Sequence, residues 1–148
     1  MMDLIGYCEK YTIDEILNLP DVKERVDIYL ENVGNCKEQI KRCSQVYKNL
    51  VVLDLRNEKK IYPGNRFLIY ALFPECNISI HVMWGRQKQN VVFATGKSIF
   101  KRTSKTNIGE LMLQYGGGGH AAAGTCQIDT DKADDVLKEL IEKINADG

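Results

Sequence analysis

The sequence has few of the residues that make a self-contained catalytic site. It holds two histidines, His81 and His120, far apart in the chain. A metal-dependent hydrolase binds its hard cations with several carboxylates and imidazoles, and no DHH or HxxxD cluster occurs here. No Ser-His-Asp or Cys-His arrangement stands out either. The five cysteines (Cys8, Cys36, Cys43, Cys76 and Cys126) include no CxxC pair, so they read as free thiols of a reducing cytoplasm rather than a zinc or disulfide framework. No apolar run approaches the roughly 20 residues of a membrane helix, and the acidic opening MMDLIGYCEKYT predicts no signal peptide. An excess of one charge is also missing: 20 Lys plus Arg balance 20 Asp plus Glu. Without a global field, any binding of phosphate or nucleic acid has to come from a local cluster. The two common phosphate-loop patterns, GxxxxGK(S/T) and a GxGxxG between strand and helix, do not occur. Their absence argues against a P-loop enzyme or a dinucleotide fold.

What is present suffices for a core: 44% of the 148 residues are hydrophobic. Residues 1–49 read as a helical linker. Thr12 and Glu15 fit a capping box, and Pro20 suits the first turn of a second helix. Val22, Val26, Tyr29, Leu30 and Val33 recur at helical steps as one buried stripe, interrupted at Gly34 and Asn35. Cys36, Ile40, Cys43 and Tyr47 continue on one helical face. From residue 50 the pattern changes. LVVLDLR, NISIHVMW, NVVFATG and GTCQI read as strands, while GNRFLIYALF, NIGELMLQY and DKADDVLKELIEKINA read as helices. Asp129 or Thr130 is the expected cap of the last helix. The order predicts an α/β fold, a single mixed β-sheet domain over residues 50–148 with helices on its faces.

The run YGGGGHAAAG sits between a helix and a strand, inside the domain. Successive glycines admit unusual backbone angles and turn N–H groups toward an anion, so one reading is a phosphate or nucleotide site with His120 as its donor. The other is a structural turn. Just upstream, ATGKSIFKRTSKTN carries Lys97, Ser98, Lys101, Arg102 and Lys105 with no acid. A lone basic loop is usually a solvated surface, but next to the glycines it suggests one shared pocket. His81 reads as a structural strand residue and Asp54 as a capping residue. Asn65 and Arg66 fit either a ligand contact or a helix cap.

Together, YGGGGHAAAG and the preceding GKSIFKRTSKTNIGELM resemble the C-terminal DHH-associated domain, type 1, of DHH-superfamily phosphoesterases. That group includes RecJ-like exonucleases, nanoRNA and cyclic-dinucleotide phosphodiesterases and exopolyphosphatase-related proteins. The resemblance covers Leu50 to Ala146, and the helical front resembles the linker between the two domains of such enzymes. It implies that this chain grips substrate, with Gly117, Gly118 and Gly119 presenting backbone, His120 bonding a phosphate, and Arg102, Ser98 and Lys97 binding from the basic motif. It places no cofactor or catalytic residue in this chain. Manganese is implied for a missing N-terminal DHH domain, the partner that would supply the chemistry of a phosphodiesterase, exonuclease or exopolyphosphatase-like hydrolase. The expected ligand is a short oligonucleotide, a nucleotide or another phosphate-rich substrate. A stand-alone nucleic-acid-binding module that regulates or recruits a partner is the alternative. The apolar stripe of the front helix, if uncovered, would let the chain pair with itself as a homodimer.

Overall fold

Three helices open the chain in the computed structural model, which describes residues 2–148. They are α1 (Met2–Lys10), α2 (Ile13–Asn18) and α3 (Pro20–Cys43). Thr12 and Glu15 form the capping box, with the Thr12 N–H donating to Glu15 Oε2 at 2.8 Å. Pro20 occupies the first turn of α3. Gly34 and Asn35 do not interrupt that helix, and a side chain at Gly34 would meet nothing within 4 Å, so no packing forces a break. The apolar stripe of α3 divides. Cys36 and Ile40 are buried, whereas Tyr29 and Leu30, expected inside, are 36% and 60% exposed. The six-residue α2 packs against α3 and leaves both Tyr29 and Leu30 exposed.

The sheet begins before its first apolar run. Ser44–Tyr47, expected as helix, is strand β1, antiparallel to β2 (Leu50–Asp54). Pairing with β2 outweighs the helical spacing of Cys43 and Tyr47, because propensity yields to tertiary context. β3 (Ile78–Trp84) runs parallel to β2. β4 (Asn90–Lys97) returns antiparallel to β3. β6 (Ala123–Asp129) pairs antiparallel with β4, and β5 (Gly118–His120) forms the edge beside β6. The order β1-β2-β3-β4-β6-β5 makes one six-stranded mixed sheet. Helix α4 (Leu68–Leu72) lies in the crossover between the parallel pair β2 and β3. Helices α5 (Ile108–Leu113) and α6 (Ala133–Asp147) complete the chain. The cap of α6 is Lys132, without a side-chain bond, and not Asp129 or Thr130.

Strand alternation sorts the side chains into two cores. On one face Leu50, Ile78, Ile80, Val82, Phe93 and Cys126 pack under Ile108 and Met112 of α5 and Leu140 and Ile144 of α6. On the other, Val51, Leu53 and Leu55 pack under Cys36 and Ile40 of α3 and Ile69 and Tyr70 of α4. No described residue of β4 or β6 belongs to this second core. Its cover stops short because α4 is only five residues long. Asn65 Oδ1 accepts the Phe67 N–H at 2.9 Å, so GNRF is a turn and the helix starts late. The Phe73 N–H bonds back to Ile69 O, and Pro74 then ends the helix.

One buried polar residue ties the helical front to the sheet. Gln39 donates to Glu58 Oε2 at 2.6 Å and Lys60 O at 2.7 Å, and accepts the Tyr62 N–H at 3.1 Å. Arg42 pairs with the same Glu58. Gln39→Ala strands the Lys60 carbonyl and the Tyr62 N–H, and should destabilise the chain by about 1–3 kcal/mol in urea unfolding.

Candidate substrate-binding cleft

The uncovered half of the second face is a concave site. Its floor is built by register: Ser79 lies opposite Gly96 and His81 opposite Ala94, while Ala94 lies opposite Thr125 and Gly96 opposite Ala123. Small residues on β4 and β6 leave room above the strands, and a cleft of about 690 Å³ lies there. That volume is in the usual range for small-ligand sites. One wall is Arg66, Phe67 and Tyr70 at the start of α4, and the other is Gly118, Gly119 and His120 of β5. Lys97 and Ile99 also line it.

The lining is cationic and imidazole in character. Arg66, Lys97, His81 and His120 contribute, and no carboxylate does. Arg66 makes no ion pair among the described residues. Its guanidinium carbon sits 5.2 Å from the centre of the Phe67 ring. A Cβ built on Gly96 would lie 3.5 Å from Tyr70 Oη and 3.8 Å from Arg66 Nη2, so both groups reach over β4. Tyr70 donates to Gly96 O at 2.6 Å, and its oxygen is 2.7 Å from Ser79 Oγ. These bonds lock α4 onto β3 and β4, and burial pushes the Tyr70 phenol up. Burial, with the nearby Arg66 charge second, lowers the His81 imidazole to about 4. His81 is therefore neutral at physiological pH, with one ring nitrogen a donor and the other an acceptor.

The glycine run divides its work. Gly116, with φ 73°, follows α5 in the left-handed conformation of a helix end. Gly117 packs against β6, where a Cβ would meet Thr125 O at 2.1 Å. Gly118 and Gly119 are strand β5, and a Cβ at Gly119 would fall 2.3 Å from Ala123 O. A Cβ at Gly118 meets nothing within 4 Å, so this residue borders open cleft. The run is thus a helix end followed by an edge strand, and Ala121 and Ala122 make the hairpin turn. His120 Nδ1 accepts the Ala122 N–H at 3.2 Å, which in the neutral ring leaves the proton on Nε2. The Lys97 N–H donates to Ala122 O at 2.9 Å and fastens the hairpin to the end of β4.

The basic segment is only partly at the cleft. Lys97 lines it and donates through Nζ to Ser104 O at 3.1 Å. Ser98 is buried, and its Oγ accepts the N–H groups of Phe100 and Lys101, so the hydroxyl shapes a turn. Arg102 is exposed on that turn and outside the lining, with Nε donating to Ile99 O at 3.1 Å. Four of the seven residues expected at the site, Lys97, Gly118, Gly119 and His120, come together. Gly117, Ser98 and Arg102 do not line the cleft. Arg66, which fitted either a ligand contact or a helix cap, lines the cleft, and so do Tyr70 and His81, which were not expected there. The available signal was Ser79, His81 and Met83 alternating against Ile78, Ile80 and Val82, a strand face too polar for a closed core. Asp54 accepts from the Arg56 guanidinium at 2.7 Å and stays away from the cleft.

Residues 70–146 match the DHHA1 domain. The chain is 69% identical to the pGpG-specific phosphodiesterase PggH from Vibrio cholerae, with a TM-score of 0.89 over 99% of this chain and 50% of that one. It thus spans about half the length of that relative. An exopolyphosphatase-related protein from Bacteroides fragilis shares the fold at 17% identity and a TM-score of 0.59, over 78% of this chain and 35% of that one. A DHH domain from a member of a ribosomal-protein family does so at 18% and 0.54, over 84% and 31%. No curated protein matches the chain.

Two outcomes test this geometry. Gly119→Ala should destabilise the chain far more than Gly118→Ala in thermal melts, because only the first puts a methyl into backbone. Unfolded His81 gains its proton near its ordinary 6.5, and folded His81 only near 4. Between those values the unfolded state binds more protons, so stability is full above pH 6.5 and falls as pH drops toward 4. In His81→Gln that part of the pH dependence should vanish from urea midpoints.

Proposed function

The chain belongs to the DHHA1 domain family, and on that ground we propose that it is the substrate-gripping part of a DHH-family phosphoesterase, with a short dinucleotide such as pGpG as ligand. The observation that carries this reading is the cleft lined by Arg66, Lys97, His81 and His120 without a carboxylate. In a chain of zero net charge such a lining is a local anion site, because nothing in it repels a phosphodiester. The similarity to a pGpG-specific phosphodiesterase supports a linear dinucleotide as the ligand.

Each wall then has a task. His120 Nε2–H donates to a phosphate oxygen, and the Lys97 ammonium adds a point charge. Gly118 lets the phosphate or sugar approach the main chain of β5. Arg102, on the turn beyond Ile99, offers a phosphate contact to a ligand that extends past the cleft. Hydrolysis by a DHH-family enzyme would draw on two manganese ions, which would supply an activated water and charge neutralisation. Among the described residues no group of three or more His, Cys, Asp or Glu is placed to hold a metal. The residues here do not fit those ions, and their task ends at binding and orienting the ligand. In this reading a DHH domain would hold the metals.

Calorimetric titration of pGpG into the chain at low salt should give saturable binding that weakens as salt rises. His120→Ala should weaken it by about 10- to 150-fold, the loss of one bond to a charged group. Flat titrations, for this chain and for a fusion to a DHH domain, would sink the reading.

A further inference from the structure

We propose that Arg66, together with His81 and the Phe67 ring, reads a guanine base, while the β5 side of the same cleft holds the phosphate. This assignment rests on the phosphodiester-binding reading above and adds to it which end of the cleft sets base preference.

The two ends differ in chemistry. The β5 side offers open backbone at Gly118 and the donor of His120. The α4 side offers a flat aromatic ring at Phe67 and the apolar Met83 and Ala94, with few polar groups among them. A phosphate asks for charge and donors, whereas a heterocycle asks for apolar walls and a small number of oriented polar atoms. The ends also lie apart across the sheet. β3, which carries His81, is three strand spacings from β5, or roughly 14 Å at about 4.8 Å each.

Arg66 has the freedom and the shape for the task. It is exposed, has no ion pair among the described residues, and lies over the Phe67 ring. A guanidinium fork fits the paired acceptors O6 and N7 of guanine. Adenine puts an amino donor at the first of those positions, which the fork opposes. His81 stays neutral well below physiological pH, so it supplies a donor and an acceptor without adding a second charge to attract phosphate there. Tyr70 and Ser79 bond to each other and hold this end in place.

The test compares four ligands on the full chain: pGpG, pApA, pGpG built with 7-deazaguanine, and ribose 5-phosphate. The unaltered chain should prefer pGpG over pApA and over the deaza form by about tenfold or more. Arg66→Ala should lose that preference and weaken pGpG far more than ribose 5-phosphate, while Arg66→Lys, which keeps the charge without the planar fork, should narrow the preference. Arg66 is exposed and has no ion pair among the described residues, so both variants keep the fold. His81→Asn, which retains a donor and an acceptor in another geometry, should narrow the preference. If Arg66→Ala keeps the preference, or weakens all four ligands equally, the base-reading assignment is overturned and the phosphodiester site stands. If the unaltered chain binds none of the four, both are overturned.

Discussion

Phe93 faces Cys126 across β4 and β6, and one residue on, Ala94 faces Thr125. That register decides which side chains meet helices and which meet ligand. A slip of β4 by one residue would turn Phe93 into the cleft and put Ala94 under α5. The correct register puts the bulky residues of β4 beneath α5 and α6, where Phe93 and Val91 are fully buried. It leaves Ala94, Gly96 and Ala123 on the opposite side as a low floor.

A floor becomes a site only with walls, and both walls come from local chain behaviour. On one side the Asn65 turn delays α4 and Pro74 ends it, so only the Tyr70 and Arg66 side chains reach from there over β4. Tyr70 then pins that short helix by its bonds to Gly96 and Ser79. On the other side the glycine strand β5 adds an edge thin enough to leave the cleft open. Its backbone comes so close to β6 that Gly117 and Gly119 have no room for a Cβ. Positive and neutral polar groups collect between these walls, and the acids of the chain lie elsewhere.

Much of the fold was legible in the sequence. The alternation of Ile78, Ile80 and Val82 marked β3, since a half-buried strand has a period of two, and NVVFATG after the GRQKQ turn marked β4 as the returning strand of a hairpin. In α6, Ala133, Val136, Leu137, Leu140, Ile141 and Ile144 all meet the first core as their 3.6 period implies. β1 was hidden because SQVY continues a helical spacing and its strand pairing is tertiary. At the cleft, His120 and the glycines were legible as a local motif. Arg66 was legible only as an open choice between ligand contact and cap, and His81 only as a structural residue, because they come from separate stretches that only α4 and the parallel β2–β3 crossover bring to the β5 wall. Ser98 reads as a ligand residue in a basic motif, yet its hydroxyl is engaged by the N–H groups of its own turn.

The central claim is that the open face over β3, β4 and β6, and not the helical front, holds the ligand. Amide chemical-shift mapping during a pGpG titration tests it most directly. The account predicts shifts concentrated at Gly118, Gly119, His120, Lys97 and His81, with the amides of α1 through α3 unmoved. Shifts confined to α3, or to α5 and α6 on the opposite face, would contradict it.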